Sequence, residues 1–148
     1  MPASFSSVRV HVVFSTKDRR PSLTAEIRKR LWKYLAKTGE SLEFKMLAVG
    51  GEADHVHLLI VVPSKIPVSV AVQKLKANSS RWIRETFNLK LFSWQDGYGA
   101  FSVSVSSTDA VVAYIAGQEV HHRKRDFRAE FEQMLRVHGV TAESLPSY

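Results

Sequence analysis

Four short stretches of this chain alternate apolar and polar residues with a period of two, and stretches with helical spacing separate them. Such alternation is typical of strands that bury one face, whereas apolar residues three and four apart are typical of helices that cover a sheet. The predicted strands cover residues 8–14, 42–48, 55–62 and 101–106. The predicted helices run from Thr24 to about Gly39, from Pro67 to about Ile83, from Thr108 or Asp109, and after Asp126.

The order of these elements favours an α+β fold, in which an antiparallel sheet has helices packed on one face. Gly50 and Gly51, between the second and third predicted strands, suit a hairpin turn, so these two strands should be antiparallel. The order resembles the split βαβ arrangement of ferredoxin-like domains. The polar face of the sheet, which carries Arg9 and His11, would then be the open, working face. Residues 1–148 contain no repeat or linker and are predicted to form a single domain.

The charge of the chain favours a polyanionic partner. Lys and Arg number 21 against 14 Asp and Glu, which gives a formal net charge of +7 on 148 residues. A basic domain without such a partner is the alternative, and charge alone does not decide. The lack of cysteine excludes a disulfide-stapled scaffold. The longest apolar stretch, residues 58–62, is far below the roughly 20 residues that span a bilayer, and the opening residues lack a signal-peptide pattern, so a cytoplasmic location is expected.

A pair of histidines is the first candidate for chemistry. His55 and His57 are two residues apart on a predicted strand, so their imidazoles project from the same face. Neutral imidazole binds transition-metal ions well, and oxygen ligands can complete a shell around Mn²⁺ or Mg²⁺. Two half-exposed histidines on a polar face are the alternative, because a histidine pair at this spacing is common.

The second candidate is Tyr114 with Gln118, four residues apart on the third long helix and therefore on one side of it. The side-chain oxygen of Gln118 could be a third metal ligand, whereas Tyr114 could equally be a boundary residue with a packed ring and a wet hydroxyl. Gly117 between them costs the helix about 1 kcal/mol relative to alanine. The basic residues 121–125 that follow also fit the dipole of the helix C-terminus.

A third group combines cations and aromatic side chains. Cations on the second long helix could contact phosphates, and Trp94 could stack on a base or lie in the core. Solvated lysines are the alternative. With the polar sheet face and the basic cluster, the predicted DNA-binding residues are Arg9, His11, Lys74, Arg81, Arg84, Trp94, His121, Arg123 and Lys124.

The joint pattern of motifs resembles a known family. Asp54 is followed by histidine, a bulky hydrophobe and histidine, which is the HUH motif, and Tyr114-Ile-Ala-Gly-Gln118 lies downstream. Together they resemble the small single-tyrosine HUH transposases of bacterial insertion sequences. Residues 11–17 resemble the first strand of these proteins, residues 94–103 resemble the stretch before their catalytic helix, and the likeness runs from about residue 10 to 140. Gly117 departs from the pattern, where a larger polar residue, often asparagine, is expected.

The resemblance implies an HUH nuclease fold and a transposase that cleaves and rejoins single-stranded DNA through a 5′-phosphotyrosine link. Tyr114 would be the nucleophile, and His55, His57 and Gln118 would hold a divalent ion, Mg²⁺ or Mn²⁺. Family members are homodimers that recognise a hairpin at the end of their element, and the tyrosine helix of one subunit can complete the metal site of the other.

Two other function classes remain open from the residues. A non-catalytic or domesticated module that binds single-stranded nucleic acid could share the plan of an RRM, a sheet with an open face and helices behind it. The expected neighbours of His55 and His57 on that face are Ser102 and Ser104, where an RRM would carry stacking aromatics. A metal hydrolase acting on small phosphoesters is the third reading, against which the positive charge and the lack of an acidic cluster argue.

Overall fold

The structure, a computed structural model, describes residues 4–122 and 126–140. Its strands are β1 (Arg9–Ser15), β2 (Lys45–Glu52), β3 (His55–Val61) and β4 (Gly99–Val103). Its longer helices are α1 (Ala25–Ser41), α2 (Val68–Thr86), α3 (Thr108–Ala116) and α5 (Phe127–Val137), and the single turn α4 (Gln118–His121) follows α3. Short 3₁₀ turns at Lys17–Arg19 and Val105–Ser107 lie between them.

The four strands form one sheet in the order β2-β3-β1-β4, and every neighbouring pair is antiparallel. This confirms the predicted α+β class and the ferredoxin-like order. Two of the predicted helix starts are fixed by their caps, because Thr24 accepts a hydrogen bond from the backbone N–H of Ile27, and Asp126 accepts one from that of Ala129. None of the helices in the described part of the chain is long and apolar enough to cross a membrane.

One face of the sheet carries the main core. Val12 of β1 and Leu58 of β3 pair across the sheet, and both are fully buried. The apolar stripes of α1 and α2 cover them, with Leu31 and Leu75 among the residues of zero exposure. This face contains what period-two alternation predicts, apolar side chains on the strands and amphipathic helices above them.

The opposite face of the sheet is also covered, which corrects the expectation that it is open. Val13 of β1 packs in a second apolar cluster with Phe127, Phe131 and Leu135 of α5. Helix α3 lies over β2 on the same face, where a Cβ at Gly50 would collide with the backbone oxygen of Ile115. The apolar stripe of α5 has to be buried, and α1 and α2 already occupy the other face, so α5 covers this one.

The glycine pair Gly50-Gly51 lies inside β2, not in the hairpin turn as predicted. The turn is formed by Ala53 and Asp54, and the strands it joins are antiparallel as expected. Gly51 has φ +153, and a Cβ there would overlap the backbone oxygen of His55. Both glycines therefore serve close approach of backbone segments rather than the reversal of the chain.

The register of β4 corrects a second expectation. Phe101 is the partner of His11 and so lies on the histidine face, whereas Ser102 pairs with Val10 and lies on the face of α1 and α2. Ser104 falls outside the strand. The two serines therefore do not line the histidine face. Phe101 occupies it instead, because its ring packs against Phe131 of α5.

Candidate active site

The histidine pair lies at the centre of the covered face. His55 and His57 of β3 have zero exposure, and His57 pairs with Val13 of β1 and Gly50 of β2. Their imidazole centroids are 5.1 Å apart, and the ring of Phe127 stacks on His55 at 4.6 Å. The alternation of β3 thus places both rings on one side, as predicted, but beneath helices instead of in solvent.

The contacts of His55 fix the direction of its imidazole. Its Nδ1 lies 2.8 Å from Oδ1 of Asp54, and its Nε2 lies 2.8 Å from Oε1 of Gln118. The pKa of Asp54 is lowered, because its hydrogen bond with His55 outweighs the effect of burial, so the ionised carboxylate accepts the Nδ1–H. The lone pair of Nε2 then points toward the amide oxygen of Gln118. Carboxylate, histidine and an inward lone pair in this order are typical of metal-ligating imidazoles.

Gln118 reaches the histidines through a break in the helix, which corrects the prediction of one continuous helix. Helix α3 ends at Ala116, Gly117 forms the junction, and Gln118 begins α4. The backbone N–H of Gly117 still donates to the oxygen of Ala113. The side chain of Gln118 is only 1% exposed, so the break turns it inward beneath the last helix.

Glu130 is the residue that the sequence analysis missed. It is 1% exposed, and its Oε1 lies 2.9 Å from Nε2 of His57 and 3.1 Å from Nε2 of His122. Its Oε2 accepts hydrogen bonds from the hydroxyl of Tyr114 and, at 2.9 Å, from Nε2 of Gln118. One carboxylate therefore contacts both the tyrosine and the imidazole cluster within a single chain.

The spacing of Glu130 did contain a usable signal. It lies three residues after Phe127 and directly before Phe131, on the apolar stripe of α5, where an unpaired acid would be costly to bury. His122 was grouped with the basic residues, although it follows Gln118 by four. An acid on a buried face near a histidine cluster is a candidate partner for that cluster.

The structure brings together a group of side chains that could hold a metal ion. Ligand atoms of His55, His122 and Glu130 all lie within 4.8 Å of one another. Of the predicted ligands, His57 contacts the same carboxylate and Gln118 contacts both His55 and Glu130. The predicted ligand set is thus brought to one place, together with a carboxylate and a third imidazole that were not predicted.

Burial and hydrogen bonding set the protonation of this cluster. Burial lowers the pKa of His57 to about 4, and burial with the nearby His57 lowers the pKa of His11 to about 3. Burial alone would raise the pKa of Glu130, but hydrogen bonds from His122 and His57 bring it below its ordinary value. Near pH 7 the site therefore holds neutral His57 beside an ionised carboxylate, the forms in which both residues bind cations.

Two of the predicted DNA-binding residues are not available to nucleic acid. Trp94 is 7% exposed, its ring packs edge-on against Phe14 at 4.8 Å, and its Nε1 donates to Ser79. His11 is 5% exposed, and its Nε2 lies 2.8 Å from Nδ1 of His57. Trp94 is therefore a core residue, and His11 packs against His57. Both predictions are wrong for the same reason, that the rings are buried.

The other predicted DNA-binding residues occupy different places. Lys74 and Arg81 are exposed on α2, on the side of the sheet opposite the histidines. Arg84 donates to the backbone oxygen of Phe92. Arg9 is half-buried and donates to Ser7, at the end of β1 that is far from His55. The ring of His121 stacks on that of Tyr114, with 4.7 Å between the centroids. Arg123 and Lys124 lie outside the described residues.

A basic cavity lies at the end of the sheet that carries His55. Its volume is about 520 Å³, and its walls are the segments 17–22 and 88–93. Three exposed cations line it: Lys17, Arg20 and Lys90. The backbone N–H of Thr16, next to the first segment, donates to the oxygen of Asp54 at 2.8 Å. This contact places the cavity beside the turn that leads into the histidine pair.

Solved structures share this fold. A candidate transposase from Deinococcus radiodurans R1 superposes with a TM-score of 0.66 at 23% identity, covering 80% of this chain and 95% of the other. A REP-associated tyrosine transposase bound to a REP hairpin superposes with a TM-score of 0.61 at 17% identity, covering 82% and 72%. At these identities the likeness shows the fold, which is the HUH fold predicted from the motifs.

The sequence comparison identifies the family. The profile of the family described as "Transposase IS200 like" matches residues 4–118, and the chain belongs to this IS200-like transposase family. The transposases for insertion sequence element IS200 of Salmonella typhimurium (strain LT2) and Salmonella typhi are 32% identical over 88 residues. The match covers 60% of this chain and 58% of each relative, so it spans little more than half of their length.

Proposed function

We propose that this protein is a transposase that cleaves and rejoins single-stranded DNA, with Tyr114 as the nucleophile. The observation that carries the proposal is the convergence of Tyr114 and Gln118 on the histidine pair. The ring of Tyr114 lies 5.8 Å from that of His57 between centroids, and the side-chain oxygen of Gln118 lies 2.8 Å from Nε2 of His55. Four residues from two distant parts of the chain thus form one site, as the family motif requires.

The proposed reaction is a reversible transfer of a phosphoryl link. The Tyr114 oxygen attacks the phosphorus of a DNA phosphodiester, its proton leaves, and the bond to the 3′-oxygen breaks to give a free 3′-hydroxyl. The downstream strand stays attached to the protein through its 5′ phosphate as a phosphotyrosine, which conserves the energy of the broken bond. A 3′-hydroxyl then attacks the same phosphorus and the tyrosine oxygen regains a proton. Because the unperturbed pKa of tyrosine is about 10, the site has to assist loss of the proton.

The proposed ligands of a divalent ion, Mg²⁺ or Mn²⁺, are His55, His57 and Gln118. The donor chemistry of the site fits such an ion. With the Nδ1–H of His55 given to Asp54, two lone pairs face each other between His55 and Gln118 at 2.8 Å, a separation that requires a proton or a cation between them. When bound, the ion offsets the negative charge of the scissile phosphate and makes it open to attack.

The proposed substrate is single-stranded DNA that carries a hairpin. The net charge of +7 supports a polyanion, and the structural relative described above is bound to a REP hairpin. Lys17, Arg20 and Lys90 line the cavity beside the turn before His55, and in this proposal they hold the backbone of a strand that enters the site. Exposed Lys74 and Arg81, with His121, Arg123 and Lys124, stay predicted contacts, and a homodimer and a cytoplasmic location belong to the same proposal.

Formation of a covalent protein–DNA adduct tests this proposal. The protein would be incubated with Mn²⁺ and a hairpin-bearing single-stranded DNA and run on a denaturing gel. We expect an adduct from the native chain and from Tyr98→Phe, a control on an exposed loop tyrosine, but none from Tyr114→Phe, which should still bind the DNA. An undiminished adduct from Tyr114→Phe would overturn the role of this residue.

A further inference from the structure

We propose that Glu130 couples the divalent-ion site to the nucleophile: one of its oxygens is a ligand of the ion, and the other holds the hydroxyl of Tyr114. The inference rests on the proposed function. It gives Glu130, which is not part of the His-His-Gln motif, two roles: ligand of the ion and positioning residue for Tyr114. It follows from the different surroundings of the two carboxylate oxygens.

The first oxygen, Oε1, faces imidazole nitrogens. Nε2 of His57 lies 2.9 Å from it, Nε2 of His122 lies 3.1 Å from it, and Nε2 of His55 lies 3.7 Å from it. Three ring nitrogens, two from β3 and one from the residue that follows α4, thus surround a single carboxylate oxygen. A convergence of nitrogen and carboxylate donors on one point is the arrangement by which proteins hold a divalent ion of the Mn²⁺ or Zn²⁺ type.

The second oxygen, Oε2, faces the nucleophile. It accepts hydrogen bonds from the Tyr114 hydroxyl and from the side-chain nitrogen of Gln118. The latter bond orients the amide of Gln118, so its oxygen points to His55. The Tyr114 hydroxyl and the ion site therefore lie on the two oxygens of one carboxylate, within the same chain.

The position of Glu130 on α5 is held by contacts on either side. Phe127, one turn earlier, stacks on His55, and Phe131, the next residue, packs against Phe101 of β4. Asp126 caps the helix at its start. These contacts anchor α5 to the sheet independently of the carboxylate. A change of Glu130 to glutamine is therefore expected to leave the helix in place while removing the charge.

A charge-neutralising role is the competing explanation, since an acid can simply offset protonated histidines. The two explanations differ in ion affinity, which can be measured without DNA. Binding of Mn²⁺ would be followed by the loss of the free-ion electron paramagnetic resonance signal, using the native chain, Glu130→Gln and His122→Gln. Glu132→Gln is the matched control, because it makes the same change on the same helix at a residue that pairs with Arg128 near the surface.

We expect one Mn²⁺ site in the native chain and in the control, and affinity weakened by about tenfold or more in Glu130→Gln and in His122→Gln. Unchanged affinity in a folded Glu130→Gln variant, or a native chain that binds no Mn²⁺, would overturn the inference. If Glu130→Gln does not fold, unchanged affinity in His122→Gln would overturn the three-imidazole site around Oε1.

The positioning role has a separate measurement. At Mn²⁺ concentrations that saturate each variant, Glu130→Gln should form the covalent adduct at least about tenfold more slowly, while Tyr114→Phe should bind Mn²⁺ as the native chain does. An adduct rate equal to that of the native chain would contradict the hold on Tyr114. If Mn²⁺ affinity depends on Glu130 but the native chain forms no adduct, Glu130 is a ligand of the ion and the proposed function fails. If the native chain forms the adduct but its Mn²⁺ affinity does not depend on Glu130, the proposed function stands and the inference about Glu130 fails.

Discussion

The two faces of the sheet are built from alternate residues of the same strands, yet they differ in kind. On β3, Val56 and Leu58 face α1 and α2 and lie among apolar side chains, whereas His55 and His57 face α3 to α5. All four residues have zero exposure. Burial therefore does not distinguish the two faces; the distinction is whether the buried groups are apolar or polar.

The difference has consequences for what each face can do. The apolar face gains stability from removing hydrocarbon from water, and its residues can be exchanged for others of similar volume. The histidine face buries nitrogens and oxygens that are hydrogen-bonded to one another, so removing one side chain leaves a buried partner without its hydrogen bond. Such a network is a costly way to fill a core compared with apolar side chains, which supports the chemistry proposed for this face. Predictions that separate the two faces follow, from the largest effect to the smallest.

Removing the histidine pair should have the largest effect. In the variant with His55→Ala and His57→Ala, we expect adduct formation to fall by more than about a hundredfold and the response to divalent ions to disappear, because the ligands are gone. The measurement is adduct yield against Mn²⁺ concentration, with circular dichroism to verify the fold. Cleavage by the native chain that persists in excess chelator would contradict the role of the ion.

The matched change on the apolar face is Leu58→Ala. Leu58 directly follows His57 on β3, and its side chain points to the opposite side of the sheet. Leu58 has zero exposure, so its truncation should lower the free energy of unfolding by about 2–5 kcal/mol in urea titrations. Adduct formation per folded molecule should be retained at low temperature. Exposed Leu91→Ala is the control and should change stability by less than about 0.5 kcal/mol. A stable Leu58→Ala variant that has lost activity would mean that the faces are not separable.

Lowering the pH should act on the histidine face alone, and with a smaller effect. The pKa of His57 falls from 6.5 in the unfolded chain to about 4 in the fold, so the unfolded state binds more protons between these values and stability rises with pH across the window. The lowered pKa of His11 adds to this in the same window, and the raised pKa of His122 opposes it. We expect the free energy of unfolding to be lower at pH 5 than at pH 7 by about 1–3 kcal/mol. Equal or greater stability at pH 5 would contradict the buried, neutral state of His57.

Local patterns were enough to predict one face of the molecule. The alternation of β1 and β3, the cap at Thr24 and the start of a helix after Asp126 depend on neighbours in sequence, and the structure confirms them. The HUH motif and the spacing of Tyr114 and Gln118 likewise identified the family. These are features that a short segment determines by itself.

Long-range contacts account for what could not be predicted. Whether α5 packs on the histidine face depends on which sheet surface is left uncovered, and that is a property of the whole fold. The register of β4 follows from the contact of Phe101 with Phe131, 30 positions along the chain. Glu130 became visible as part of the site only when α5 was placed against β3, because 73 residues separate it from His57.

The most direct test of the account is to identify the amino acid that carries DNA after cleavage. The covalent complex formed with a hairpin-bearing single strand would be digested with nuclease and protease, and the nucleotide-bearing peptide identified by mass spectrometry. We expect a phosphodiester on Tyr114 and on no other residue. Attachment at any other residue would contradict the convergence of Tyr114 on the histidine pair as the basis of the chemistry.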